Sequence, residues 1–293
     1  ADALPSFIAA AQQRRFDLVI QLHGSGILTN QLAMQLGAAH VAGFYLPGHD
    51  CPDATRFLPW VEQEHEVLRA LRLMRFLGFA PQGDALEFPL TAADDAALQR
   101  CEAILPPPGS YACIHPGARL PSRRWPPQRF AEVADTLAQA GLHIVLTGTA
   151  QEAAVTQSVI AAMRAPAIDL TGQTGLGAFA ALIAGARLVV CNDTGASHMA
   201  AALATPSVVI CCGADPQRWA PLDHRRHRMV FHDVFCRPCM HVTCPIGHPC
   251  ALGVGVEAVV QQARQVLLEN KRVEGGIVAA RETGAARDGV HSS

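Results

Sequence analysis

The sequence has no excess of charge of either sign: 23 Lys and Arg stand against 25 Asp and Glu, for a formal net charge of -2. Nucleic acid demands a strongly basic face, so no nucleic-acid partner is expected, and short basic clusters are judged singly. Long apolar runs are missing too. None reaches the roughly 18 residues of a membrane-spanning helix, and the first residues show no basic region leading into an apolar signal core. A reducing cytoplasm is therefore the expected compartment. Cysteine, by contrast, is plentiful, with 10 in 293 residues. In such a compartment these thiols are expected to stay reduced, with some used on metal. Half of the residues are hydrophobic, enough for one large core or two smaller ones.

The chain alternates between strand and helix patterns. "FDLVIQL" (16–22) and "HVAGFYL" (40–46) read as strands flanking the loop "HGSG" and a helix from Asn30 to Leu36, which makes a βαβ unit. Val67, Leu68, Leu71, Met74 and Leu77 recur at helical spacing over 62–77. A further helix over 92–105 runs into "PPPG" (106–109), where three prolines mark a seam between domains. Beyond it the alternation resumes through "YACIHPG", "HIVLTG", "IDLTG", "RLVVCN" and "SVVICCG", with helices between them, and a last helix spans 256–269. Strands this continuously apolar are expected to lie parallel and covered on both faces, with ligands bound beyond their carboxyl ends. The expected divisions are 1–90 as the first domain, 91–108 as a linker, 109–270 as the second domain, and 271–293 as a disordered tail.

Two loops at such strand ends carry chemistry. In "VVCNDTGASHMAAA", Thr194 and Gly195 open a helix with His198 in its first turn. Unpaired N–H groups and the positive end of the helix dipole suit an anion there. His198 adds a donor, and Asp193, which phosphate would repel, suits sugar hydroxyls. The bland alternative is that Asp193 or Thr194 only caps the helix. In "HPGARLPSRRWPPQRF" (115–130), Arg119, Ser122, Arg123 and Arg124 precede a proline-initiated helix. Guanidinium pairs bidentately with phosphate oxygens, so this loop suits a diphosphate; a solvated basic loop is the competing reading.

Together with "DLTGQTGLGAFAALIAGARLVVCNDTGASHMAAALATPSVVICCG" and "RWAPL" (218–222), these residues resemble glycosyltransferase family 9, the bacterial heptosyltransferases, most specifically across 109–222. The resemblance implies an α/β, GT-B type fold in which two Rossmann-like domains with parallel sheets face a cleft. It implies an inverting transfer of a sugar, heptose from ADP-heptose, to a lipopolysaccharide core or lipid-linked saccharide, with no cofactor required for the chemistry. By position, Arg123, Ser122, Glu152, Asp193, Thr194, Gly195 and His198 are expected on the donor. His23, Gly24, Ser25 and Asn30 are expected on the acceptor side, with Trp60 and the segment 51–66 nearby. Family members begin with a strand and a Gly-Asp turn whose Asp is the expected general base. This chain starts at "ADALPSFIAAAQQRRFDLVI", so the base is expected upstream, on strands that a fragment lacks. Such a chain should turn over poorly, with His23 as the substitute imidazole.

The cluster "CRPCMHVTCPIGHPC" places Cys236, Cys239, Cys244 and Cys250 where a structural zinc would bind, with His241 and His248 as substitutes. Disulfides and free thiols stay open as alternatives. The run "HRRHR" (224–228) offers peripheral contact with the cytoplasmic face of the inner membrane, against a solvated loop. Two rival functions also remain. One is an NAD-type oxidoreductase, because "HGSG" supplies two of three fingerprint glycines; the other is a non-catalytic sugar-binding protein.

Overall fold

The structure is a computed structural model describing residues 3–101 and 104–285, with side chains to residue 270. The chain divides into two compact units, 1–84 and 85–293. The first contains α1 (Ala3–Gln13), β1 (Leu18–Ile20), α2 (Thr29–Gln35), β2 (His40–Tyr45), β3 (Phe57–Pro59) and α3 (Glu66–Phe76). Its three strands pair in parallel in chain order. The expected helix at 62–77 starts only at Glu66, because His65 caps it: the imidazole Nδ1 accepts the Val67 N–H at 3.2 Å. Arg69 on α3 is buried, lies 3.7 Å from the Trp60 ring centre, and donates to the carbonyls of Val61 (2.7 Å) and Glu64 (2.9 Å).

The second unit contains α4 (Ala92–Gln99), β4 (Tyr111–His115), α5 (Pro127–Gln139), β5 (His143–Leu146), α6 (Ala153–Ala162), β6 (Ala167–Asp169) and α7 (Leu176–Gly185). It continues with β7 (Leu188–Asn192), α8 (Gly195–Ala202), β8 (Ser207–Cys211), α9 (Pro216–Trp219), β9 (His227–Phe231), α10 (Pro249–Leu252) and α11 (Val256–Ala285). Its sheet is wholly parallel, in the order β6-β5-β4-β7-β8-β9. That is the doubly wound order, which reverses direction between β4 and β7.

Alternation along each strand feeds two cores. Ala112, Ile114, Ile144, Leu146, Val190, Val208 and Ile210 face α5, α6 and α11, while Tyr111, Cys113, Val145, Val189, Cys191 and Val209 face α7 and α8. Each such side chain contributes about 1.5–3 kcal/mol by leaving water, offset by the chain entropy lost in ordering it. Both faces being covered explains why the strand sequences are unbroken apolar runs.

Several boundaries differ from the sequence expectation. α4 ends at Gln99 and packs on α7 within the second unit. α11 continues to Ala285 instead of ending at Glu269; the last part of the expected tail, 286–293, lies outside the described residues. β9 forms where a basic loop was expected, because His227 turns inward and bonds the Ser207 Oγ through Nδ1 at 2.9 Å. Among the described residues no helix is long and apolar enough to cross a membrane.

Candidate functional site: a cavity at the strand ends of the second unit

Loops following β4, β5, β6 and β7 meet over the carboxyl edge of the sheet around a cavity of about 840 Å³. Its walls are Arg119, Arg123 and Arg124 after β4, Thr149 and Glu152 after β5, Thr174 and Gly175 before α7, and Asp193, Thr194 and Gly195 after β7. Leu176, Phe179 and Met199 supply an apolar side. The starts of α7 and α8 both open onto it, so backbone N–H groups and two positive dipole ends face the same space as three guanidinium groups.

Asn192 makes this arrangement rigid. It is fully buried at the end of β7; its Oδ1 accepts the Trp125 N–H at 3.0 Å, and its Nδ2 donates to the carbonyls of Pro116 (2.8 Å) and Gly117 (3.2 Å). One side chain thus ties the arginine loop to the strand that delivers Asp193. Glu152 lies at the 3₁₀ turn before α6, where its Oε2 accepts from the N–H (2.8 Å) and hydroxyl (2.9 Å) of Thr149. Gly117 passes so close that a Cβ there would sit 2.3 Å from the Glu152 carboxyl carbon. Glycine is required at 117 by that close approach.

Burial dominates the electrostatics of Asp193. It pushes the carboxyl up to about 6, against the opposing pull of Arg123 and Arg237. His115 on the floor is held below the usual imidazole range by burial, which outweighs the nearby Glu152. Its Nδ1 lies 3.1 Å from the Thr147 hydroxyl.

The expected donor residues do not all reach the cavity. Arg123, Glu152, Asp193, Thr194 and Gly195 line it, whereas Ser122 and His198 do not. Ser122 is buried and donates its hydroxyl to the His241 carbonyl, so it anchors another loop. His198 packs beside Trp219, with ring centres 6.0 Å apart.

In the first unit, His23 is exposed and its carbonyl accepts from Gln21 (2.6 Å) and Thr29 (3.0 Å); Gly24 and Ser25 are half-buried in the same turn. Asn30 donates to the Phe44 carbonyl at 2.9 Å. Trp60 was expected to present a face to sugar, but it is packed between Phe44 and Arg69 and only 7% exposed.

The structure does not support the zinc expectation. Among the described residues no three of His, Cys, Asp and Glu gather as a metal site, and all ten cysteines are free thiols, so disulfides are absent as well. Cys250 is drawn into the core with Trp125 and Val254, while the Cys244 Sγ accepts the His248 N–H at 3.1 Å. Burial raises the Cys250 thiol, and Cys239 and Cys236 lie near enough for their charges to raise it further. Within 224–228, His227 is buried, Arg226 faces Asp223 at 3.8 Å and Arg228 pairs with Glu269 at 2.6 Å, whereas His224 and Arg225 are exposed.

Sequence reading missed Arg237, whose charge reaches Asp193 from the cysteine-rich loop. It also missed the apolar wall. The signal for that wall lay in "TGQTGLGAF" (171–179), a polar turn opening directly into an apolar helix at a strand's carboxyl end.

The family model for glycosyltransferase family 9 (heptosyltransferase) matches residues 6–249. The chain belongs to glycosyltransferase family 9. The family-9 chain is 36% identical over 115 residues to lipopolysaccharide heptosyltransferase 2 of Escherichia coli K12, covering 38% of this chain and 33% of that protein. It is 28% identical over 236 residues to lipopolysaccharide heptosyltransferase 1 of Pseudomonas aeruginosa, covering 78% of this chain and 63% of that one. The chain thus spans about a third of the first relative's length and less than two thirds of the second's. Among solved structures, the E. coli ADP-heptose LPS heptosyltransferase II superposes with a TM-score of 0.70 at 21% identity, covering 92% of this chain and 81% of that one. An E. coli heptosyltransferase solved with ADP gives 0.63 at 22% identity, covering 90% and 77%. These likenesses establish the GT-B fold for the family-9 chain.

Proposed function

We propose that the chain is a glycosyltransferase that binds ADP-heptose in this cavity and passes the heptose, with inversion, to a saccharide of the lipopolysaccharide core. The observation that carries the reading is the meeting of three arginines, two helix starts and the carboxylate of Asp193 in a single cavity. The names of the relatives support heptose as the sugar. The solved E. coli heptosyltransferases carrying ADP and ADP-2-deoxy-2-fluoro heptose support the donor.

In this reading the acceptor hydroxyl attacks the anomeric carbon, and the bond from that carbon to the diphosphate oxygen breaks. Negative charge grows on the departing ADP, where Arg119, Arg123, Arg124 and the N–H groups of Thr194 and Gly195 stabilise it. These fixed positive groups fill the place that a divalent ion takes in other transferases. Asp193 accepts hydrogen bonds from the sugar hydroxyls, and the hydroxyl proton of the acceptor passes to a general base. An NAD oxidoreductase fits less well, because after β4 the chain presents "HPGARLPSRR" in place of a glycine-rich phosphate turn. Membrane docking through 224–228 is not part of the proposal.

Calorimetric titration with ADP, ADP-heptose and NAD tests the reading. Arg123→Ala should weaken ADP about tenfold or more by removing a charge-assisted pair. His198→Ala should change it little, given where the ring packs. NAD binding in preference to ADP-heptose, or parent-like ADP binding by Arg123→Ala, would overturn the proposed site.

A further inference from the structure

The cysteine-rich loop, empty of metal ligands as a set, is stitched to the donor cavity by its backbone and by one arginine. The Arg237 guanidinium donates to the Ala214 carbonyl at 2.5 Å and to the His232 carbonyl at 2.9 Å, and it lies 3.3 and 3.4 Å from the Cys211 carbonyl. It also lies over the Phe231 ring, 5.4 Å from its centre. One planar fork therefore joins the ends of β8 and β9 to the turn after β8. Two residues on, the Cys239 N–H donates to the Gly213 carbonyl at 3.0 Å, and the Cys239 carbonyl accepts from Arg123 Nη2 at 2.5 Å.

The loop then grips the turn that carries Arg123. Ser122 donates its hydroxyl to the His241 carbonyl and its N–H to the Val242 carbonyl (3.1 Å), and His248 Nε2 donates to the Ser122 carbonyl at 2.8 Å. Gly213 sits at the crossing point: a Cβ there would lie 2.8 Å from the Cys239 Sγ and 3.7 Å from the Arg123 guanidinium carbon.

We propose that Arg237 is a positioning residue of the donor cavity: it pins the 237–248 strap to the end of β8, and the strap holds the Arg123 guanidinium opposite Asp193. Evolution of a side chain with five fixed donors is what such a three-carbonyl junction needs, whereas a lysine ammonium supplies charge without the fork. The groups bearing on Asp193 are Arg123 from the 3₁₀ turn, Arg237 from the strap, Cys191 from β7 and Cys211 from β8. Both thiols are kept protonated by burial, so the two arginines are the charges that matter. The inference rests on the donor-site reading only for its effect on ADP.

The test uses the full chain with Arg237→Gln and Arg237→Lys. Carbon-detected NMR follows the Asp193 carboxyl through pH without ligand, and calorimetry measures ADP and ADP-heptose. Arg237→Gln should raise the Asp193 midpoint by about one unit and weaken ADP about tenfold. Arg237→Lys should restore the midpoint but not the full affinity, because it returns charge and not geometry. A parent-like midpoint and affinity in Arg237→Gln would overturn the proposal. Should that variant not fold, Gly213→Ala displaces the strap at Cys239 while keeping Arg237, and unchanged ADP affinity there overturns it equally. If the parent binds neither nucleotide, the donor reading fails, and the Asp193 titration alone decides the strap.

Discussion

Asp193 shows how far one residue's role depends on its surroundings. Its carboxyl titrates at about 6 in the folded chain against 3.8 ordinarily, so the folded state holds an extra proton between those values. The contribution of Asp193 to stability is therefore greatest at or below about pH 4, declines as pH rises to about 6, and is flat above. Asp193→Asn should stabilise the ligand-free protein above pH 6, by about 1–3 kcal/mol given its mostly buried side chain, and the gain should vanish near pH 4. Thermal midpoints across that range check this; equal gains at both ends would remove the buried-charge account. The same variant should retain ADP while losing preference for ADP-heptose over ADP, since only the sugar needs the carboxylate. Equal losses for both ligands would return Asp193 to a capping role.

At the scale of elements, the pairing of β8 with β9 depends on a buried histidine. His227 lies opposite Ser207 in the register, and burial lowers its imidazole to about 4 from 6.5. The unfolded chain takes up a proton between those values and the folded chain does not. The contribution of His227 is thus fully present above about pH 6.5 and is lost as pH falls toward 4, by up to about 3 kcal/mol. His227→Leu should flatten the pH dependence of unfolding in this window while costing about 1–3 kcal/mol at neutral pH by orphaning the Ser207 hydroxyl. An unchanged pH slope would show that other groups carry it. β9 was illegible in the sequence for a physical reason: "HRMVF" is an edge strand whose arginine reaches Glu269 on α11, so its charges look like a loop's. The central strands, covered on both faces, announced themselves as apolar runs.

For the whole molecule, the division after residue 84 lies in an extended stretch, 80–90, without helix or strand. Phe88 and Leu90 pack on the second core, which leaves 82–87 as its most exposed portion. Limited proteolysis should cut there first, and because every residue of the cavity wall belongs to the second unit, ADP should protect that fragment from further digestion. Early cuts within 109–250, or no protection by ADP, would contradict this. The sequence placed the seam at 91–108 because prolines stiffen the chain at 106–108. In the structure α4 precedes those prolines and packs on α7, where Gly177 admits Asp94 without a side chain in the way.

The alternation of strand and helix in the second unit, the parallel pairing of its central strands and the two loops at their carboxyl ends followed from sequence alone, because periodicity, proline starts and helix-opening turns are local properties of the chain. The grouping of Arg123, Glu152, Asp193, Thr194 and Gly195 was what the family resemblance implied, and the structure brings these five to one cavity. Only the tertiary structure decided that Ser122 and His198 lie off the cavity wall, that Trp60 packs against Arg69, and that Cys250 is buried in the core. Those outcomes depend on which side chain wins a contact with residues tens of positions distant. Spacing along the chain can place four sulfurs within reach of an ion, but the pull of Cys250 into the core and the hold of Arg237 on three carbonyls act across the fold.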